Sequence, residues 1–212
     1  MQAKYNVLIL GASYGSLFAT KLILAGHSAT LVCTKPTAEL INREGTIVHL
    51  PIRGRETPLE ISSKAAGADL SACTPDAADP EKFDLVVLGM QESQYGSASI
   101  RELMERIAAA RVPCLAIMNM PPLPFLKRIP AIKADELAGC YADPAVWDHF
   151  EPGLVTLASP DPQAFRDPGE GKNILHVGLP TNFKVAPFEA DAHTSMLRDI
   201  QSDIEAIRFD TG

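Results

Sequence analysis

The chain reads as an α/β protein built on a doubly wound, mostly parallel sheet. Three observations predict this. The stretch from Tyr5 to Lys35 holds an apolar run, a turn of small residues, a helical period and a second apolar run. Two later runs, Leu85 to Leu88 and Cys114 to Met118, are apolar throughout, as strands covered on both faces require. A helical period over 96–110 lies between them, and this alternation of strand and helix builds a parallel sheet. The architecture so described is Rossmann-like, and a C-terminal hairpin and a terminal helix complete it.

Val7 to Leu10 is the first strand. Leu17, Phe18, Leu22 and Leu24 recur at helical spacing, and Gly26 sits where the helix would stop. Ala29 to Cys33 is the second strand. The turn between strand and helix, Gly11-Ala12-Ser13-Tyr14-Gly15-Ser16, exposes backbone N–H groups at the positive end of a helix dipole, which suits a phosphate. It approximates the G-x-G-x-x-G dinucleotide fingerprint. Gly11 supplies the first glycine, Ser13 stands near the second, and Gly15 or Ser16 takes the third place. An ordinary tight turn is the plain alternative. The same residues also spell G-x-S-x-G, the nucleophile elbow of serine hydrolases. That elbow normally follows several strands, whereas ten residues precede Gly11 here. Asp84, Asp161, His176 and His193 are candidate partners for Ser13 under this reading.

Thr34 is a candidate cap for a helix with Pro36 in its first turn, running to Glu44 and ended by Gly45. An acid at the end of the second strand would hold the ribose hydroxyls of NAD, whereas a basic residue accommodates the extra phosphate of NADP. Thr34 and Lys35 stand there, with no acid from 33 to 36, so a bound dinucleotide is expected to be NADP(H). A solvated lysine beside a helix cap is the simpler alternative. Thr46 to Leu50 and Thr57 to Ile61 read as a strand and its return, and a short strand is expected near Leu70.

Asp84 opens the strand Leu85 to Leu88. Met90 to Gln94 leads into a helix from about Gly96 to Ala110, with Ile100, Leu103, Met104 and Ile107 on one face. The strand Cys114 to Met118 ends at Asn119. The glycine turn, Thr34–Lys35, Met90–Gln94 and Asn119 therefore all follow strand ends on the edge where open α/β sheets bind ligands. Pro121, Pro122, Pro124 and Pro130 then allow one short helix, Phe125 to Ile129, with short helical pieces at 135–140 and 144–150. Trp147 is expected to be a packing anchor. Gly153 to Ser159 and Asn173 to Gly178 are strand-like and expected to pair as a hairpin across the loop Ser159 to Lys172. Thr181 to Phe188 reads as loop. A final helix over 189–208 carries the stripe Met196, Leu197, Ile200, Ile204 and Ile207, which must bury itself on its own domain or on a second copy in a homodimer.

The bulk numbers agree. The chain has 212 residues, 46% of them apolar, which supports a packed core. A net charge of −7 without a strongly basic stretch argues against a nucleic-acid partner. No apolar run approaches the roughly 20 residues of a membrane span, and the sequence moves straight into a strand, so no leader peptide is expected. Cys33, Cys73, Cys114 and Cys140 are scattered, as in a reduced cytoplasmic protein without a metal site.

The segments 15–19, 24–27, 30–32 and 40–45, together with Asp84 to Leu88, Asn119, Gly153 to Thr156 and Ile174 to Gly178, resemble the N-terminal domain of ketopantoate (2-dehydropantoate) reductases. The resemblance covers most of residues 5 to 180. It implies NADPH as cofactor, hydride transfer to a 2-keto acid, and a place in pantothenate biosynthesis. It places cofactor contacts at Gly11, Ser13, Tyr14, Gly15, Ser16, Thr34, Lys35, Met90, Gln91 and Asn119, and makes Asn119 the candidate catalytic residue. It divides the chain into a dinucleotide-binding domain, 1–180, and a C-terminal loop and helix, 181–212, where a helical domain would begin. Three departures stand out. The second fingerprint glycine is replaced or deleted around Ser13. Gln91 stands in a segment that usually carries a lysine. The family's general-acid lysine lies in the helical domain and has no counterpart here. Hydride reduction of a ketone needs such an acid. A longer enzyme, a completing partner chain and a non-catalytic nucleotide-binding or regulatory module therefore all remain open.

Overall fold

The computed structural model describes residues 4–52, 54–65, 69–159, 164–167, 171–178 and 183–207. The first βαβ unit forms as expected: β1 (Asn6–Leu10), α1 (Tyr14–Leu24) and β2 (Ser28–Val32). Gly26 follows α1 at φ +87°, a left-handed value that costs glycine nothing. Next come α2 (Lys35–Glu44), β3 (Thr46–Leu50), β4 (Leu59–Ser62), β5 (Leu70–Cys73) and β6 (Leu85–Leu88). Then follow α3 (Ala98–Ala110), β7 (Cys114–Ala116), α4 (Leu123–Leu126), β8 (Val155–Ala158), β9 (Ala164–Asp167), β10 (Asn173–Val177), β11 (Val185–Ala186) and α5 (Thr194–Glu205).

The strands form two sheets. The larger has seven strands in the order β11-β8-β7-β6-β1-β2-β5, all parallel except the β11 edge. Winding runs outward in both directions from β1, so the switch point lies between β1 and β6. Val7 to Leu10 and Leu85 to Leu88 are fully buried, which explains their unbroken apolar runs. Alternation assigns their side chains to opposite faces. Leu8, Leu10, Val86 and Leu88 pack with α3, α4 and Trp147. Val7, Ile9, Leu85 and Val87 pack with Phe18 and Leu22 of α1 and with Leu197 and Ile200 of α5.

The smaller sheet, β4-β3-β10-β9, corrects one expectation. The strands at 155–158 and 173–177 do not pair with each other. β8 continues the large sheet beside β7, while β10 lies parallel to β3 in the small one. The hairpin joins β10 to β9, inside the stretch expected to be loop. Its cause is long-range: Leu175 of β10 packs with Val48 of β3 and Leu17 of α1, so α1 is covered by a sheet on each side. Asn173 ties these layers by donating to Ser16 Oγ (3.1 Å) and Thr46 Oγ1 (3.0 Å).

The stripe on α5 is spent within the chain. Leu197 and Ile200 are fully buried and Ile204 nearly so, beside Phe18 and Phe183. This removes the reason for expecting a second copy on that helix. Trp147 is a packing residue, with its ring centroid 5.5 Å from Tyr95 and 5.6 Å from Phe150. Of the segments discussed above, Asp161, Thr181 and Arg208 lie outside the described residues. No helix among the described residues is long and apolar enough to cross a membrane.

Candidate functional site

The carboxyl ends of β1, β2 and β6 open into one cleft of about 560 Å³. Its floor is the turn after β1. Gly11 has φ +103°, and a Cβ there would lie 2.9 Å from Met90 Cγ and 3.0 Å from the Gly89 carbonyl oxygen. Glycine is therefore required by both the backbone and the close passage of the β6 loop. Gly15 carries the other steric demand. A Cβ there would lie 2.8 Å from Ile9 Cγ2 and 3.2 Å from Leu31 Cδ2, so Gly15 lets α1 press onto the sheet. That is the role of the third fingerprint glycine, performed here by Gly15.

Ser13 precedes α1 without capping it through its side chain, and no acid occupies the first turn. The start of α1, the positive end of the helix, therefore meets the cleft at Ser13 and Tyr14 with no side-chain cap, while the Ser16 N–H turns back to the Ser13 carbonyl at 3.1 Å. The donor set suits a phosphate. Among the described residues, no group of three histidines, cysteines or acids is arranged to hold a metal.

Of the residues singled out by sequence, Gly11, Ser13, Tyr14, Thr34, Met90 and Gln91 line this cleft together. Asn119 lines a small recess beside it, shared with Tyr14, Met90 and Gln91. Gly15 and Ser16 lie beneath the turn and are buried. The Ser16 hydroxyl donates to the Ala12 carbonyl and accepts from Asn173. Lys35 is exposed at the start of α2, outside the lining. Its charge reaches Asp76, whose carboxyl is held below its ordinary range chiefly by the Thr74 hydroxyl and more weakly by Arg106 and Lys35. Gln94, in the Met90–Gln94 segment expected at this edge, also lines the cleft, whereas sequence reasoning missed Thr37, Ser97 and Arg166. Gln94 and Gln91 form a reciprocal capping box at the mouth. Arg166 comes from β9 and carried no local signal.

The elbow reading fares differently. Ser13 has no histidine bonded to it among the described residues. His49 faces His176 at 3.2 Å, His193 meets Thr156 at 3.0 Å, and His27 lies against Tyr5 and Asp203. His149 is exposed in the turn that follows the short helical piece Pro144–Trp147. Candidate bases for Ser13 are thus engaged or exposed elsewhere.

Cys33 lies on the cleft wall. Burial pushes its thiol up to about 11, the neighbouring Cys73 adds to the rise, and the Arg166 guanidinium opposes it.

Solved structures share this fold. A Ralstonia solanacearum protein assigned as a ketopantoate reductase superposes with a TM-score of 0.64 at 12% identity, over 95% of this chain and 58% of its own. An Enterococcus faecalis protein assigned as a 2-dehydropantoate 2-reductase gives 0.60 at 15%, over 94% and 54%. The fold is that of these reductases. A D-mandelate dehydrogenase solved with NADH gives 0.56 at 15%, over 97% and 55%. The chain thus spans a little over half the length of each, and the resemblance expected from sequence holds at the level of fold. No protein-family profile matches the chain, and no curated protein matches its sequence.

Proposed function

We propose that the chain is the NADP(H)-binding part of an oxidoreductase of the ketopantoate reductase type, acting on a 2-keto acid. One observation carries the reading. The β1–α1 turn, the start of α2 and the β6 loop converge on a single cleft at the switch point of a doubly wound sheet. Gly11, Ser13 and Tyr14 would hold the pyrophosphate, and Thr34 with Lys35 the adenosine ribose and its phosphate. Met90, Gln91 and Asn119 would border the nicotinamide end, where the reduced ring supplies hydride.

Asn119 and Gln91 can orient a carbonyl or carboxylate by donating hydrogen bonds, but neither delivers a proton. Among the described residues the lining holds no lysine or histidine, while the alkoxide formed by hydride addition needs an acid within hydrogen-bond reach. The proposal therefore includes a donor brought by a further domain or a partner chain. That same lack favours the second reading, a non-catalytic nucleotide-binding module.

Titration with NADPH and NADH, followed by nicotinamide fluorescence, tests the reading. Tight NADPH binding with much weaker NADH is expected. Lys35→Glu should weaken NADPH far more than NADH. Binding of neither nucleotide would sink the proposal. Turnover of a 2-keto acid, if found, would then separate the reductase from the silent module.

A further inference from the structure

Arg166 belongs to the small sheet yet lines the cleft of the large one. The pleat explains its direction. In the β9–β10 hairpin Arg166 lies opposite Leu175, and directly opposed residues share a face. Leu175 points inward, to the Leu17 side of the sheet. The neighbouring pair, Phe165 and His176, takes the outer face, where Phe165 is 64% exposed. Arg166 is thus aimed past α1 toward the start of α2. There its Nη1 donates to Thr37 Oγ1 at 3.3 Å. The Thr34 hydroxyl donates to the same oxygen at 3.1 Å. Thr37 therefore accepts twice, and its own hydrogen remains for an acceptor. Among the described residues Arg166 pairs with no carboxylate, although every other described arginine that is half-buried, Arg101, Arg106 and Arg128, bonds an acid or a carbonyl.

We propose that Arg166 is the residue that distinguishes a 2′-phosphorylated adenosine from an unphosphorylated one, acting with the hydroxyls of Thr37 and Thr34. The inference rests on reading the cleft as a dinucleotide site. A guanidinium presents a planar fork of donors that fits two phosphate oxygens at once. A partly buried cation with no counter-ion among the described residues has exchanged hydration for one neutral hydroxyl, and a dianionic phosphate restores what it lost. A 2′-hydroxyl offers no charge and one oxygen, so it gains far less. Lys35, at the next position from Thr34 but outside the lining, adds attraction at longer range. Specificity would thus be delivered from a different sheet than the one that forms the cofactor crevice.

The test compares Arg166→Gln with the unaltered chain, using NADPH, NADH and the minimal pair 2′,5′-ADP and 5′-AMP in calorimetric titrations. Loss of a charge-assisted bidentate contact predicts that NADPH and 2′,5′-ADP weaken by about 10- to 100-fold. NADH and 5′-AMP should stay within about threefold, since they lack the group the fork holds. An unaltered chain that binds NADPH tightly, with Arg166→Gln keeping the full preference, overturns the inference and leaves the cleft reading intact. Equal binding of NADPH and NADH by the unaltered chain does the same. Binding of neither overturns the cleft reading and the inference together. Should Arg166→Gln lower the melting temperature markedly, Thr37→Val serves instead, since it leaves the hairpin untouched. It is expected to weaken NADPH several-fold and NADH little, and an unchanged ratio counts against the clamp.

Discussion

At the scale of single residues, the site depends on atoms that are absent. Gly15 has no room for a methyl group against Ile9 and Leu31, so Gly15→Ala must move α1 or the strand. Overpacking of this kind costs about 1–3 kcal/mol, to be read as a lower urea midpoint, with nucleotide binding weakened as the turn shifts. Cys33 illustrates the opposite demand. With its thiol pushed up to about 11 from 9.0, its thiolate fraction at pH 8 falls about 100-fold. Iodoacetamide should therefore modify exposed Cys140 well before Cys33, and buried Cys114, raised to about 12, last. Mass spectrometry of a time course would show the order. His27 and His193 are both buried, and burial lowers the pKa of each, outweighing Asp203 and Asp191 respectively. The folded chain then binds fewer protons than the unfolded one below the free histidine value of about 6.5. Stability should hold above that pH and decline as pH falls through the window down to the lowered values. His27→Gln should flatten part of this dependence in urea melts taken from pH 7 to pH 5.

Among the elements, α5 and the β9–β10 hairpin show what sequence alone reveals. The stripe on α5 was legible because helical spacing is a local signal, and so was the need to cover it. What covers it was not legible: Leu197 and Ile200 meet Phe18, whose position depends on the whole fold. Leu197→Ala should cost about 2–5 kcal/mol, a loss far larger than an exposed helix would show, measurable by thermal or urea unfolding. The strands of the large sheet were equally legible, because burial on both faces leaves an unbroken apolar run. β9 was not. Ala164 to Asp167 has no alternating apolar pattern, and it is a strand because β10 offers it an edge. β10 in turn pairs with β3, far away in sequence, through contacts no local period encodes. The mistaken hairpin and the missed Arg166 share that origin. The turn after β1 was readable as a phosphate-binding turn, while the steric reason for Gly15 needed the position of Ile9.

For the whole molecule, the two sheets with α1 between them set a hierarchy of stability. Val7 to Leu10 of β1 and all of β6 are fully buried, and both strands are paired on both edges, so their amides should exchange slowest. β4 and β9 are edges of the small sheet and should exchange earlier. Hydrogen exchange followed by mass spectrometry would resolve the two groups; equal protection throughout would show that the sheets open as one unit. Adding NADPH should slow exchange in β9 as well as in the β1–α1 turn, although the two lie in different sheets. The layered position of α1 has a practical consequence for anyone reshaping this domain. Residues 46–62 look like a decorative insertion between two halves of a nucleotide fold, and trimming them would seem harmless. Yet Leu17 would then lose Val48 and Leu50 from its cover, and Asn173 would lose its Thr46 acceptor while still bonded to Ser16 directly beneath the turn. The small sheet is a splint for the helix that presents the turn, so a shortened chain would retain every turn residue and lose the stiffness with which they are held.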